Sequence, residues 1–316
     1  MTKIVYMGTP EFAVPVLEKL NEHYNVVACV TRADKPKGRS GKPAKSPVRE
    51  AAEALGIPVL TPEKVRTPEF YEELRAFDAD FFVTCAYGKI LPQEVLDIPR
   101  MGVVNVHASL LPKYRGAAPI WRVIINGESE TGITTMLTDA GMDTGDILLT
   151  ERVEITENMT TGELHDLLAP VGAELIVKTL DGLLEGSVTR TKQNSGEATY
   201  APMVEREDGA VDWTKSASEI HNRIRGCNPF PGAYTFIDGS KLKIWVSEVC
   251  RGVFTSCAPG TIINADKSGI LAACGDGGVV NIKEIQAENQ KRMTVGAFLN
   301  GHAIAGRFES AEAVKN

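Results

Sequence analysis

Lys3-Ile4-Val5-Tyr6-Met7-Gly8-Thr9-Pro10 is the stretch on which the fold class turns. Its apolar, partly β-branched run reads as a strand over 3–7. Thr9-Pro10 then supplies a helix N-cap and a proline at the first helical position, opening a helix to about Leu20. The same strand-then-helix signal recurs downstream. Val26–Val30 reads as the next strand, Ser46-Pro47 repeats the cap for a helix to about Leu55, and a short strand follows at Pro58–Leu60. A helix runs from about Pro68 to Phe77, and Phe81–Ala86 and Val103–His107 are uninterrupted enough to be strands buried on both faces. Alternation of this kind predicts a parallel sheet covered by helices on both sides.

Past about residue 120 the pattern changes. A helix is expected near Pro119–Asn126, strands at Ile133–Leu137 and Ile147–Val153, and a long helix from about Thr161 to Glu185. Residues 189–206 are polar with weak periodicity and read as a linker between a domain over 1–188 and a second over 207–316. The second holds one helix at about Ser218–Arg225 and then five short strands near Ala233–Ile237, Lys241–Val249, Gly260–Ala265, Ile270–Ala273 and Val279–Ile285. Turn residues such as Asp238-Gly239-Ser240 separate them, as in a small β-barrel. The fold class is therefore α/β, with a Rossmann-like N-terminal domain and a small C-terminal barrel.

A chain of 316 residues suits two domains of about 100–200 residues each. Hydrophobic and charged fractions of 43% and 24% exclude a disordered or fibrous class. No apolar run approaches the ~18 residues of a membrane span, so a cytoplasmic protein without membrane contact is expected. The six cysteines form no CxxC pair and no metal-ligand spacing with histidine, so neither a zinc site nor a redox motif is indicated and no metal is expected. They read as reduced and mostly buried.

Net charge is −7, yet Arg32–Arg49 carries seven cations against Asp34 alone. This stretch lies between a strand and the next helix, where a loop of about 2–6 residues is usual. Its prolines and glycines bar a helix. Familiar nucleotide motifs are absent: Gly8 stands without GxGxxG, and Gly38 and Gly41 are three apart where a phosphate loop needs a wider spacing. ATP and NAD are therefore not indicated.

Asn105-Val106-His107 closes a buried strand, and period-two alternation puts both polar side chains on one side, at the edge where open α/β sheets bind ligands. Alone, such a pair is equally a hydrogen-bonded strand end. Its company matters: Ser109-Leu110-Leu111-Pro112 follows at once, and Asp139-Ala140-Gly141-Met142-Asp143-Thr144-Gly145-Asp146 is a glycine-rich acidic loop between two strands.

This combination resembles the formyltetrahydrofolate-dependent formyltransferases, along essentially the whole chain. The resemblance implies a catalytic trio of Asn105, His107 and Asp143 and 10-formyltetrahydrofolate as co-substrate. It also implies folate contacts from Ser109, Leu110, Leu111 and Pro112 and, on the pterin side, from Tyr87 and Gly88 in the Cys85–Pro92 loop. The residue types suit the chemistry. Attack of an amine on a formyl carbon builds an oxyanion, which Asn105 and a protonated His107 can meet with donors. A carboxylate at Asp143 would hold the imidazole cationic and in place. An α-amino group titrates at about 8, so a mild base suffices, such as Asp143 through a water. A purely structural loop cap is the alternative role for Asp143.

The trio names the reaction and leaves the acceptor open. The cationic loop resembles the insertion of family members that formylate methionyl initiator tRNA. That resemblance implies tRNA contacts from Arg39, Lys37, Lys42 and Lys45, a tRNA-binding C-terminal barrel of the oligonucleotide-binding (OB-like) type, and no obligate protein partner. A solvated surface loop is the bland alternative. The competing functions are a folate hydrolase, a sugar formyltransferase and a catalytically silent RNA- or folate-binding protein.

Overall fold

The structure is a computed structural model that describes residues 1–37 and 42–310, with the side chains of 35–43 outside the description. The chain divides into two compact units. The first comprises residues 1–119, 130–154 and 165–202.

In chain order its elements are β1 (Lys3–Gly8), α1 (Val14–His23), β2 (Asn25–Val30), β3 (Lys35–Lys37), β4 (Lys42–Ala44) and α2 (Pro47–Ala54). Then come β5 (Val59–Leu60), α3 (Pro68–Arg75), β6 (Phe81–Cys85), α4 (Gln93–Leu96) and β7 (Val103–His107). After α5 (Pro119–Ile125), which but for Pro119 is counted with the second unit, follow β8 (Glu130–Leu137), β9 (Ile147–Glu154) and α6 (Thr161–Glu185), whose first four residues are also the second unit's. Seven strands form one sheet in the order β5-β2-β1-β6-β7-β8-β9. The first five run parallel, while β8 is antiparallel to both β7 and β9. The sheet is thus mixed at one edge. The loop over 138–146 holds no crossover helix, which a parallel return from β8 to β9 would need.

Burial explains why the parallel strands are uninterrupted apolar runs. One face of the sheet packs Val5, Met7, Ala28, Val30 and Phe82 with Phe70 and Leu74 of α3. On the other side α6 lies close to β7 and β8: a Cβ at Gly172 would stand 3.1 Å from Val106, and Thr179 and Thr135 share a buried hydroxyl contact of 2.8 Å.

Two helix starts read differently. Ser46 is a true N-cap, its side chain accepting from the Arg49 amide at 3.1 Å. Thr9 is not. A 3-10 turn at Glu11–Ala13 precedes α1, and the Thr9 hydroxyl instead donates to the Tyr87 carbonyl at 3.1 Å, tying the ends of β1 and β6 together. The basic stretch also carries structure: its backbone forms the two-stranded hairpin β3-β4. The segment expected as a linker over 189–206 is divided. Through Pro202 it belongs to the first unit, where Thr191 exchanges both backbone hydrogen bonds with Ile147, and Thr199 and Ala201 bond the Arg115 backbone.

The second unit comprises 120–129, 155–164 and 203–316. It holds α7 (Ala217–Gly226), β10 (Ala233–Ile237), β11 (Ser240–Phe254), β12 (Ile262–Asp266), β13 (Gly269–Ala273), β14 (Gly278–Ala287), β15 (Met293–Thr294) and α8 (Val295–Leu299). The antiparallel order is β10-β11-β14-β13-β12, with β15 beside β14. Among the described residues no ladder joins β10 to β12 directly; instead the segment over 306–309 reaches both edges, Glu309 bridging to Phe236 of β10 and Arg307 to Thr261 just before β12. Its core gathers Ile220, Ile224, Ile244, Ile270 and Ile282 around Trp213, which stacks on Phe308 at 5.0 Å. A capping box between Ser216 and Glu219 starts α7.

Candidate active site

From β1 the chain steps outward to β2 and β5 and returns on the far side to β6 and β7. That reversal opens a crevice at the carboxyl ends of β1 and β6, the ligand site of open α/β sheets. β7 adjoins it, and its last residues are Asn105 and His107.

Asn105 stands between Thr84 of β6 and Met136 of β8 in register. The Thr84 hydroxyl donates to its Oδ1 at 2.7 Å, and its Nδ2 has no hydrogen-bond partner among the described residues. The carboxamide is therefore oriented with a free donor, which a strand sequence alone does not reveal.

His107 is buried, 6% exposed. Its Nε2 lies 3.0 Å from the Tyr114 carbonyl, which can only accept, so Nε2 carries a proton and donates. Nδ1 faces Asp143, 3.7 Å from Oδ2. That separation is outside hydrogen-bond range and within ion-pair range, as is common for catalytic pairs without substrate. The structure thus brings the three expected residues to one sheet edge.

Asp143 sits in the turn between β8 and β9 with φ of +54°, a left-handed conformation that Asp tolerates better than most residues. Its Oδ2 accepts from the Gly116 amide at 2.8 Å. Gly116 has φ of +115°, and a Cβ there would meet the Ala201 carbonyl at 2.9 Å, so only glycine brings this amide to the carboxylate. Gln193 completes the cluster. Its Nε2 donates to the carbonyls of Asp143 and Gly145 at 2.8 and 2.7 Å, and its Oε1 accepts from Nε and Nη2 of buried Arg115. Arg115, Gly116 and Gln193 were not legible as site residues; Gln193 sits in a stretch with no periodicity.

The expected folate segments divide. Ser109 is fully buried, and its hydroxyl donates to the Lys113 carbonyl at 2.6 Å, so it shapes the loop from within. Leu111 is buried too, its amide donating to Thr134 Oγ1, whereas Leu110 and Pro112 are half-buried. In the other loop the Tyr87 ring lies in the sheet core with its hydroxyl unpartnered, and burial pushes that phenol up to about 12. Any contact from position 87 to a ligand runs through its backbone. Gly88 is exposed, and the adjoining Ile90 offers an apolar side chain 63% exposed. Apolar surface and backbone groups of this kind suit a flat pterin.

Of the cationic residues expected to meet RNA, Arg39 lies outside the described residues, as do the side chains of Lys37 and Lys42. Lys45 pairs with Glu53, and Arg49 with Glu53 and Asp34. These are exposed pairs of small net worth, exchangeable for phosphates. Four of the six free cysteines are buried, and burial pushes Cys29, Cys85, Cys227 and Cys274 up to about 12, so none of these is a poised nucleophile. Among the described residues no group of three His, Cys, Asp or Glu side chains is placed to share a metal, and no helix is long and apolar enough to cross a membrane.

Comparison with known proteins adds three findings. The formyl transferase family matches residues 2–180, and the formyl transferase C-terminal domain matches 203–303. The methionyl-tRNA formyltransferases of Acetivibrio thermocellus and Ruminiclostridium cellulolyticum are 54% and 51% identical to this chain, each over 96% of it and 97% of their own length. Among solved structures, a sugar 3N-formyl transferase crystallised with dTDP and 5-N-formyl-THF shares the fold, with a TM-score of 0.65 at 22% identity, covering 92% of this chain and 99% of that one.

Proposed function

The chain belongs to the formyl transferase family, and on that footing we propose that it transfers the formyl group of 10-formyltetrahydrofolate to the free amino group of methionyl initiator tRNA. The observation that carries the reading is the near-complete match, at about half identity, to relatives that formylate methionyl-tRNA, together with Asn105, His107 and Asp143 meeting at one sheet edge.

The site residues divide the work as follows. The folate donor lies along the crevice against Leu110, Pro112, the backbone of 87–88 and Ile90. Asn105 Nδ2, held by Thr84, and His107 Nδ1 aim donors at the oxygen that becomes negative as the amine attacks. The Tyr114 carbonyl fixes the ring by accepting a hydrogen bond from Nε2–H. Asp143, facing His107 Nδ1, takes the proton lost by the amine through a water; as the tetrahedral intermediate collapses, the bond from the formyl carbon to folate N10 breaks and the proton passes to N10, releasing tetrahydrofolate. No covalent link to the enzyme is required, because the amine attacks the formyl carbon directly.

The acceptor rests on the cationic hairpin and on the second unit. A basic segment that neutralises phosphates makes affinity fall as salt rises. Replacing Arg39 and Lys42 together by alanine is expected to raise KM for the tRNA and flatten its salt dependence while KM for the folate donor holds. Unchanged tRNA kinetics would return the loop to a solvated surface. The reaction places the protein in the cytoplasm, where initiator tRNA is charged and used.

A sugar formyltransferase remains the competing reading on fold alone. Offering the enzyme 10-formyltetrahydrofolate with either methionyl initiator tRNA or a dTDP-amino sugar separates the two. Formyl transfer to the tRNA and none to the sugar is expected, and the reverse overturns the reading.

A further inference from the structure

We propose that Gln193 is a positioning residue for this transfer, holding the Asp143 carboxylate against His107 through the backbone of the 143–145 turn. The inference rests on the functional reading above. It concerns a segment that joins neither of the loops carrying the trio.

Gln193 makes four hydrogen bonds to oxygen and nitrogen partners at once, beside a long contact from Nε2 to Met136 Sδ at 3.9 Å. Its Nε2 donates to Asp143 O at 2.8 Å and Gly145 O at 2.7 Å, and its Oε1 accepts from Arg115 Nε at 3.0 Å and Nη2 at 2.7 Å. Carbonyls only accept and guanidinium only donates, so a single amide orientation fits; the flipped one sets oxygen against oxygen and nitrogen against nitrogen. The anchor is itself fixed. Arg115 is 3% exposed, its amide donates to Thr199 O at 2.9 Å, and its carbonyl accepts from Ala201 N at 2.7 Å.

The geometry closes a ring of contacts. Gly116, the next residue after Arg115, donates its amide to Asp143 Oδ2. Asp143 is therefore gripped at its carboxylate by Gly116 and at its carbonyl by Gln193, and both grips lead back to the Arg115-Gly116 pair. This matters because Asp143 holds a left-handed φ that a free turn populates sparsely. Without the clamp the turn relaxes, and a carboxylate already 3.7 Å from Nδ1 moves out of reach. Gln193 is spent entirely on protein partners, so its effect falls on turnover and not on binding.

Two full-length variants test this. Gln193→Met keeps the volume and removes all four bonds. Gln193→Glu keeps an acceptor for Arg115 and turns an oxygen toward the two carbonyls. Each is assayed for formylation of methionyl initiator tRNA, with thermal melting and folate-donor binding measured on the same preparation. Both are expected to lose about 10–100-fold in kcat, the usual cost of a small misplacement at a reacting centre, with KM for both substrates changed by less than about twofold. Either variant remaining folded with kcat within about threefold of wild type overturns the proposal, as does a loss that tracks the unfolded fraction. A wild-type enzyme that formylates no methionyl-tRNA overturns the functional reading instead, which keeps the two failures distinct.

Discussion

Asp143→Asn is expected to lower kcat for formyl transfer by about 10²–10⁴-fold while leaving the protein folded and the folate donor bound. The substitution is nearly isosteric. Its carboxamide oxygen can still accept from the Gly116 amide, and Gln193 still holds the backbone carbonyl, so the turn keeps its shape. What disappears is the negative charge 3.7 Å from His107 Nδ1. The Nε2–H of His107 is committed to Tyr114, so the Nδ1 side faces the charge that develops, and a neutral amide there leaves the reacting centre without its counter-charge. The amine also loses the group that relays its proton. Steady-state kinetics with melting curves check the prediction. A variant with near-wild-type kcat would make Asp143 a loop cap and nothing more.

Gly145→Ala is expected to be the most damaging of the small substitutions in this loop. A Cβ at that position would lie 1.7 Å from the Leu137 carbonyl oxygen and 2.8 Å from its carbon. Those are backbone atoms of β8, and Leu137 is also paired through its amide with Asp146 O at 2.9 Å, so neither strand can step aside cheaply. The turn must open, at a cost in folding stability of about 2–3 kcal/mol. Asp143 and the Gly145 carbonyl move with it, and a loss of about 100-fold in kcat is expected from the folded fraction. Chemical denaturation and kcat on one preparation measure both. A stable, fully active Gly145→Ala protein would contradict the geometry of the loop.

Much of this molecule was legible in its sequence, for reasons that differ by element. Val103–His107 and Thr161–Glu185 were read with their observed bounds, because one is a valine-rich, mostly buried strand and the other a long helix-forming stretch. Ser46 was read as a cap because Ser-Pro has few other uses at a helix start. Thr9-Pro10 has the same signature and a different outcome. There a 3-10 turn intervenes and a long-range hydrogen bond to Tyr87 takes the hydroxyl. The antiparallel edge at β8 and β9 was hidden because strand direction depends on connection, not on residue pattern.

The site shows the same division. Asn105, His107 and Asp143 carry chemistry in their side-chain types and could be singled out. Thr84, Arg115, Gly116 and Gln193 act by holding them, through a hydroxyl, a guanidinium, a backbone amide and a carboxamide, and such roles leave no periodic trace. Tyr87 differs from Asn105 and His107 in that its side chain is buried. An aromatic residue in a loop beside the crevice reads as a ligand wall, yet its ring turns into the core.

The formyl group is expected to move at the end of β7 directly from folate to the amine of a charged initiator tRNA. Single-turnover transfer from 10-formyltetrahydrofolate carrying a labelled formyl group tests it most directly, with enzyme in excess over methionyl initiator tRNA and a non-initiator tRNA run in parallel. The label is predicted to appear on the methionyl amino group of the initiator at the rate the donor is consumed, and far more slowly on the other tRNA. Donor consumption with free formate and no label on either tRNA would contradict the account and leave a folate hydrolase.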